Sequence, residues 1–130
     1  MSNNDLIKNR MLQLGKVPVI SSASTLKDAL DKMTLMRLGI ALIVNSDSEL
    51  LGVLTDGDLR RLLLTRQSPL PALLVTPAIE FGNSRPQTID IDASVEEAKS
   101  LMVSREIWDL PVVSKENKKV VGLIHRHSLG

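Results

Sequence analysis

The stretch Gly52-Val53-Leu54-Thr55-Asp56-Gly57-Asp58 decides how this chain is read. An apolar strand ends in Thr55, the backbone turns through Asp56-Gly57, and Asp58 opens a helix that runs to Leu64. Upstream, the strand begins at Leu50, behind the turn formers Asn45-Ser46-Asp47-Ser48. Before that turn lies Ile40-Ala41-Leu42-Ile43-Val44, short and apolar enough to be a buried strand. The two strands read as a hairpin. Farther upstream, Thr25-x-x-Asp28 is a capping-box pattern. Leu26, Ala29, Leu30 and Met33 then form one apolar helical stripe. An extended piece, Pro18 to Ser21, opens the series, and its proline limits it to an edge or a strand start.

The series occurs twice. Sliding the chain on itself by 69 residues sets Ile20 on Ile89, Leu26 on Val95, Ala29 on Ala98 and Met33 on Met102. After one extra residue in the second copy, Gly52 meets Gly122. The second copy reads Gln87 to Ile91 as the extended piece and Ser94-x-x-Glu97 as a capping box. Val95, Ala98, Leu101 and Met102 make the stripe. Leu110 to Val113 and Val120 to Ile124 make the hairpin, with Lys115-Glu116-Asn117-Lys118 at its turn. Only Arg126 to Gly130 answers to the closing helix. Two copies are too few for a solenoid, which needs about three. The expected class is therefore α/β (α+β), two β-α-β-β-α units in a pseudo-twofold pair. The units span 17–66 and 86–130. Residues 67–85 read as a linker, within a stretch from Ser68 to Pro86 that holds four of the six prolines and an apolar patch from Leu70 to Val75. Residues 1–16 read as a separate segment, compatible with a helix, whose Leu6, Ile7, Met11, Leu12 and Leu14 need cover.

Composition narrows the function. The chain has 130 residues, 43% of them hydrophobic, so it can build a real core. Lys and Arg (16) nearly balance Asp and Glu (15), without the basic excess of a nucleic-acid binder. Aromatic residues are 2%, which argues against stacking on single strands. The absence of Cys excludes disulfides, Fe–S clusters and Cys-ligated zinc. Residues 1–5 lack the pattern of a secretory signal, and no apolar run approaches the roughly 20 residues of a membrane span. A cytoplasmic protein without nucleic-acid or membrane partners is expected.

Chemistry concentrates at the strand-to-helix junctions. Thr55 and Asp58 sit where a helix start offers free N–H groups to an anion such as phosphate. A carboxylate there can accept two hydrogen bonds from a ribose diol, with Asp56, Arg60 and Arg61 adding charge. The same residues also read as a plain helix cap and turn, and both readings stand. His125 and His127 take the places of Thr55 and Gly57. Without Cys or paired carboxylates they fall short of a metal set, and a phosphate contact fits better. Trp108, at the place of Gly39, reads as a packing residue, a stacking surface for a ligand base or the cap of a dimer interface. No P-loop, nucleophile elbow, zincin motif or dinucleotide fingerprint is present. No catalytic residue is assigned.

The duplicated unit, with G-h-h-T-x-x-D at its second strand-to-helix junction, resembles the CBS domain. Two in tandem over residues 17 to 128 resemble a CBS pair, or Bateman module. The first motif, Gly52 to Asp58, is complete. The second, Gly122 to Ser128, puts His125 in the Thr place and Ser128 in the Asp place. Gly52 to Arg61 also looks like the segment found in SIS-domain arabinose-5-phosphate isomerases and in sugar nucleotidyltransferases with a CBS pair. Met11 to Val19, Leu26 to Leu30, Leu38-Gly39 and the ending Ile124-His125-Arg126-His127-Ser128-Leu129 look more like the C-terminal module of the isomerases. A catalytic domain would then lie upstream, or downstream for the transferase type.

The resemblance implies a ligand in a cleft between the two units, with Thr55 on phosphate and Asp58 on ribose. Ser21, Ser22, Ile40 and Ala41 would line the base pocket. Asp90, Ile91, Asp109 and Leu110 would do so in the second copy, beside His125, His127 and Ser128. It implies no cofactor. It implies a nucleotide ligand (AMP, ATP or a CMP-linked sugar), a homodimer and a regulatory role toward an attached or separate sugar-phosphate isomerase. That enzyme would supply 3-deoxy-octulosonate for lipopolysaccharide. The alternatives are the CBS pair of a sugar nucleotidyltransferase and a dimerisation scaffold without ligand. On either reading the chain alone is not an enzyme.

Overall fold

A computed structural model describes residues 5–129. Residues 1–4 and Gly130, which the sequence reading included in the N-terminal segment and the second repeat, lie outside them. The chain divides into two units, one from Val17 to Pro86 and the other joining residues 5–16 to 87–129.

The first unit carries a three-stranded sheet in the order β2 (Val19–Ser21), β3 (Ile40–Val44), β4 (Leu50–Thr55). Helix α1 (Leu26–Met36) connects the parallel pair β2 and β3, while β3 and β4 form the hairpin. Helix α2 (Asp56–Thr65) follows β4 directly. The stripe settles where the periodicity puts it: Leu26, Ala29 and Met33 are buried and pack with Ile20, Ala41, Ile43 and Leu54. Thr25 caps α1, and Asp28 Oδ2 accepts from the Thr25 N–H at 2.9 Å. That backbone bond, with the Thr25 hydroxyl, holds the exposed Asp28 carboxyl below its ordinary range. The apolar patch at 70–75 is not idle linker. It forms a short helix α3 (Leu70–Leu74), and Leu73 is buried against the same core.

The second unit repeats this plan. Its sheet runs β1 (Leu12–Gln13), β7 (Val120–His125), β6 (Asp109–Val113), β5 (Ile89–Asp90), with α4 (Val95–Arg105) between β5 and β6. Ser94 and Glu97 form the expected capping box. Strand β5 is one residue shorter than β2, and proline is the reason. Leu42 donates its N–H to the Pro18 carbonyl at 2.8 Å. Its counterpart Pro111 has no N–H to give, so that rung is lost.

Residues 5–16 do not form the helix that their apolar content suggests. They form 3-10 turns at Ile7–Asn9 and Leu14–Lys16 around β1, and they belong to the second unit. Val95 donates to the Asp5 carbonyl at 2.9 Å, and Ile7 to the Ala93 carbonyl at 3.1 Å. Residues 76–84 treat the first unit in the same way. Leu26 donates to the Thr76 carbonyl at 2.8 Å, and Ala78 to the Ser24 carbonyl at 2.8 Å. Asn83 then exchanges bonds with Val53, as Leu12 pairs with Leu123. Each repeat is thus closed by a strap, and each strap stands in the sequence before the repeat that it does not close.

Both hairpin turns place a non-glycine residue in the left-handed region, Ser48 at φ 63° and Lys118 at φ 60°. Lys118 donates its N–H to the Ser114 carbonyl at 2.7 Å to tighten the turn. An L side chain costs energy there that glycine does not. Lys118→Gly is expected to raise stability by about 0.5–1 kcal/mol. Thermal melts check this, and an unchanged or lower midpoint counts against it.

Candidate functional site

At the end of β4, Thr55 is the N-cap of α2 and Asp58 its third helical residue. Thr55 Oγ1 accepts from the Asp58 N–H at 3.3 Å and donates to Asp58 Oδ2 at 3.1 Å. Asp58 Oδ2 also accepts from the Thr55 N–H at 2.9 Å. The capping reading of these residues is therefore correct as local structure, and it aims the carboxylate. Asp58 is only 11% exposed, and its second oxygen pairs with Arg61 Nη2 at 2.6 Å. Arg61 is largely exposed, and a pair with one such partner contributes little. A ligand hydroxyl can replace it on Oδ1 while the cap stays intact. Arg60 is exposed on the same helix.

The neighbouring strand completes the junction. Ile40 is the register partner of Thr55 and Ala41 that of Leu54. Both side chains are buried, so these two residues can offer a ligand only backbone. Asp56 is exposed and turns aside: a β-carbon on Gly39 would lie 2.5 Å from Asp56 Oδ2, so the carboxylate rests where that side chain would be.

In the second unit the junction is rebuilt. His125 replaces the threonine, and its register partner is Asp109, in the place of Ile40. The Asp109 carboxylate accepts from His125 Nδ1 at 2.6 Å, which leaves Nε2 as the other ring nitrogen. Ser128 keeps part of the role of Asp58, since its Oγ accepts from the His125 N–H at 3.3 Å. His127 lies with its ring centroid 5.1 Å from that of His125. Two imidazoles and a hydroxyl therefore gather at one strand end beside the buried Leu110. The Asp109 carboxylate belongs to the same set, so this junction carries an acidic group where the first has the apolar Ile40. Among the described residues, no three His, Asp or Glu side chains gather as a metal site.

Two pairs of expected residues sit elsewhere. Ser21 pairs with Val44, at the opposite end of β3 from Ile40. The 21–24 turn closes on itself, with the Ser21 N–H donating to Ser24 Oγ at 3.0 Å, and Ser22 lies within it. Ile91 donates to the Val113 carbonyl at 2.9 Å, again at the far end, and the Asp90 carboxylate accepts from the Lys115 N–H at 3.0 Å. The reason is topological. β2 runs parallel to β3, so its start and not its end neighbours Thr55. Four residue steps along β3 amount to about 13 Å. Val17 and Pro18 are at the correct end, and the β-α-β order was the signal for them.

A family model described as CBS domain matches residues 10–65 and 78–129. The chain belongs to the CBS-domain family. This CBS pair is 38% identical over 120 residues, 92% of the chain, to an uncharacterized protein of Helicobacter pylori. It is 35% identical over 109 residues, 84% of the chain, to a probable arabinose 5-phosphate isomerase of Haemophilus influenzae. It is 30% identical over 119 residues, 92% of the chain, to the arabinose 5-phosphate isomerase GutQ of Salmonella typhi. The pair spans about a third of the length of these relatives, 35%, 31% and 35% respectively. Among solved structures, CBSX2 in complex with AMP superposes with a TM-score of 0.82 at 19% identity, covering 96% of this chain and 92% of that one. A putative acetoin utilization protein of Vibrio cholerae gives 0.81 at 23%, covering 95% and 85%. At these identities the likeness shows the tandem CBS fold. No helix among the described residues is long and apolar enough to cross a membrane.

Proposed function

We propose that this CBS pair is a regulatory module that binds a nucleotide or nucleotide-sugar and modulates an attached sugar-phosphate isomerase in the cytoplasm. The observation that carries the reading is the Thr55–Asp58 junction. Its capping bonds of 2.9–3.3 Å leave Asp58 Oδ1, paired only with the exposed Arg61, for a diol, and the Thr55 hydroxyl would reach phosphate by turning its proton away from Asp58 Oδ2. The crystal structure of CBSX2 in complex with AMP supports the ligand class. So does the CBS domain pair of protein MJ0100 in complex with 5-methylthioadenosine and S-adenosyl-L-methionine. The isomerase relatives support the role, and with it a place on the route to 3-deoxy-octulosonate. A ligand would act through its preference for one state of the module. The second junction, with His125, Asp109 and Ser128, would meet the other end of the ligand through imidazole and hydroxyl hydrogen bonds.

The test is calorimetry with AMP, ATP, CMP, CTP and CMP-linked 3-deoxy-octulosonate on the wild-type chain and on Asp58→Ala. A hydrogen bond to a charged group is worth about 1.5–3 kcal/mol, so the variant is expected to lose about 10- to 150-fold in affinity. Asp58→Asn keeps a cap acceptor and controls for helix loss. A folded Asp58→Ala chain with wild-type affinity overturns the site.

A second reading concerns assembly. Leu35 on α1, Val103 on α4 and Trp108 in the connection after α4 stay exposed at 79%, 79% and 56%. Exposed apolar groups of this size favour burial in a partner, and self-association is the reading that they support.

A further inference from the structure

Asp58 Oδ1 is the carboxylate oxygen that the cap of α2 does not use, and Arg61 stands on it. Arg61 Nη2 donates to Oδ1 at 2.6 Å, while Oδ2 stays with the Thr55 N–H and hydroxyl. The two partners differ in their surroundings. The Asp58 side chain is held by the cap and nearly buried, whereas Arg61 is two-thirds exposed, at 66%. The carboxylate is thus the fixed member of the pair, and the guanidinium is the one that can move. An ion pair with an exposed partner is weak, so moving it costs little.

Gly57 shows where it can move to. A β-carbon at this position would lie 3.6 Å from Thr55 Oγ1 and 3.6 Å from Arg61 Nη1. Both are ordinary contact distances, and the residue is helical, so neither a clash nor a left-handed backbone requires glycine here. Glycine weakens a helix relative to alanine. Its presence where packing does not demand it points to a use for the space. The missing side chain leaves bare backbone that the threonine hydroxyl and the guanidinium both face. In the second unit His127 takes the place of Gly57 and Ser128 that of Asp58, so neither the bare backbone nor the carboxylate recurs.

Charge decides what that space takes. A phosphate bonded to Thr55 would stand close to the Asp58 carboxylate, and two neighbouring anions repel. A cation on the same face offsets this. Arg61 is three residues from Asp58 and shares its face of α2, whereas Arg60, two residues away, does not. A guanidinium also matches phosphate oxygens through paired N–H bonds. We infer that Arg61 is a displaceable latch that gives this junction its selectivity for phosphate. A ribose diol takes Asp58 Oδ1 from it, and the released guanidinium closes on the ligand phosphate over Gly57. The junction therefore prefers a nucleoside monophosphate to the nucleoside. The inference rests on the nucleotide reading above and adds the residue that selects for the phosphate.

The test is titration followed by amide NMR shifts, with AMP against adenosine and CMP against cytidine, on the wild-type chain, Arg61→Gln and Asp58→Ala. Arg61 is exposed, so its replacement leaves the core untouched. Arg61→Gln is expected to lower affinity for the monophosphate about 10-fold, the loss of a charge-assisted bond. Affinity for the nucleoside is expected to hold or to rise by up to about 5-fold, since the diol no longer displaces an ion pair. The preference for the monophosphate then falls about 10-fold or more. Asp58→Ala is expected to weaken both ligands. An Arg61→Gln chain that weakens nucleoside and monophosphate alike overturns the inference alone, because a merely structural role would do that. So does one whose preference for the monophosphate is unchanged or larger. An Asp58→Ala chain with wild-type affinity for both ligands overturns the site and the inference together. A wild-type chain that binds neither monophosphate overturns the inference, and one that binds none of the nucleotides named above overturns the nucleotide reading as well.

Discussion

Gly122→Val is expected to release residues 5–13 from β7 and destabilise the second unit by about 3 kcal/mol or more. A β-carbon at position 122 would lie 2.6 Å from the Leu12 carbonyl oxygen and 2.7 Å from Met11 Sδ. The first of these is backbone, so the clash cannot be relieved by a rotamer. Overpacking costs about 1–3 kcal/mol, and lifting the strap also returns Ile7 to water. The sign makes the test sharp. Valine favours strands and glycine does not, so in the absence of the strap the same substitution would stabilise β7. Gly52→Val should act alike on the first unit, because its β-carbon would lie 2.7 Å from the Asn83 carbonyl oxygen. Hydrogen exchange at the Ile7, Arg10 and Met11 amides, with urea unfolding, reads the effect. A Gly122→Val chain with the wild-type midpoint would remove this account of the motif glycine.

Ile7→Ala is the second large effect. Ile7 is 0% exposed and packs with Ala93, Val95, Ala98 and Leu129. Truncating a fully buried isoleucine costs about 2–5 kcal/mol. If residues 1–16 stood outside the repeats, the same change would fall within about 0.5 kcal/mol. Equilibrium unfolding followed by far-UV circular dichroism separates the two outcomes. The loss should appear in the unit of residues 5–16 and 87–129, although Ile7 stands 80 residues before the second repeat begins at Gln87 in the chain. Intact stability would return residues 5–16 to the role of an outlying segment.

The straps show where reading along the chain runs out. Asp5-Leu6-Ile7 and Thr76-Pro77-Ala78 occupy matching places but share no residue. Their kinship lies in backbone bonds, to Val95 and Leu26, and not in side-chain type. Periodicity cannot find a segment whose regular features are a backbone exchange and one buried apolar residue, Ile7 or Ala78. The glycines show the same limit. Gly52 and Gly122 are plain in the sequence as matched residues, yet their reason is a strap carbonyl distant in sequence.

Much else needed no tertiary structure. The stripes at Leu26, Ala29 and Met33 and at Val95, Ala98 and Met102, the capping pairs and the turn residues each act within a few residues. Local propensity and burial agree there, and the duplicated β-α-β-β-α order follows from them. The Thr55-x-x-Asp58 pattern likewise marked the junction, because a helix cap is made by neighbours in the chain. Tertiary structure decided what depends on distant partners. It set Asp109 against His125 through strand register and gave each strap to the repeat that does not directly follow it. Those choices are made by hydrogen bonds between segments tens of residues apart, and no local pattern of side chains encodes them.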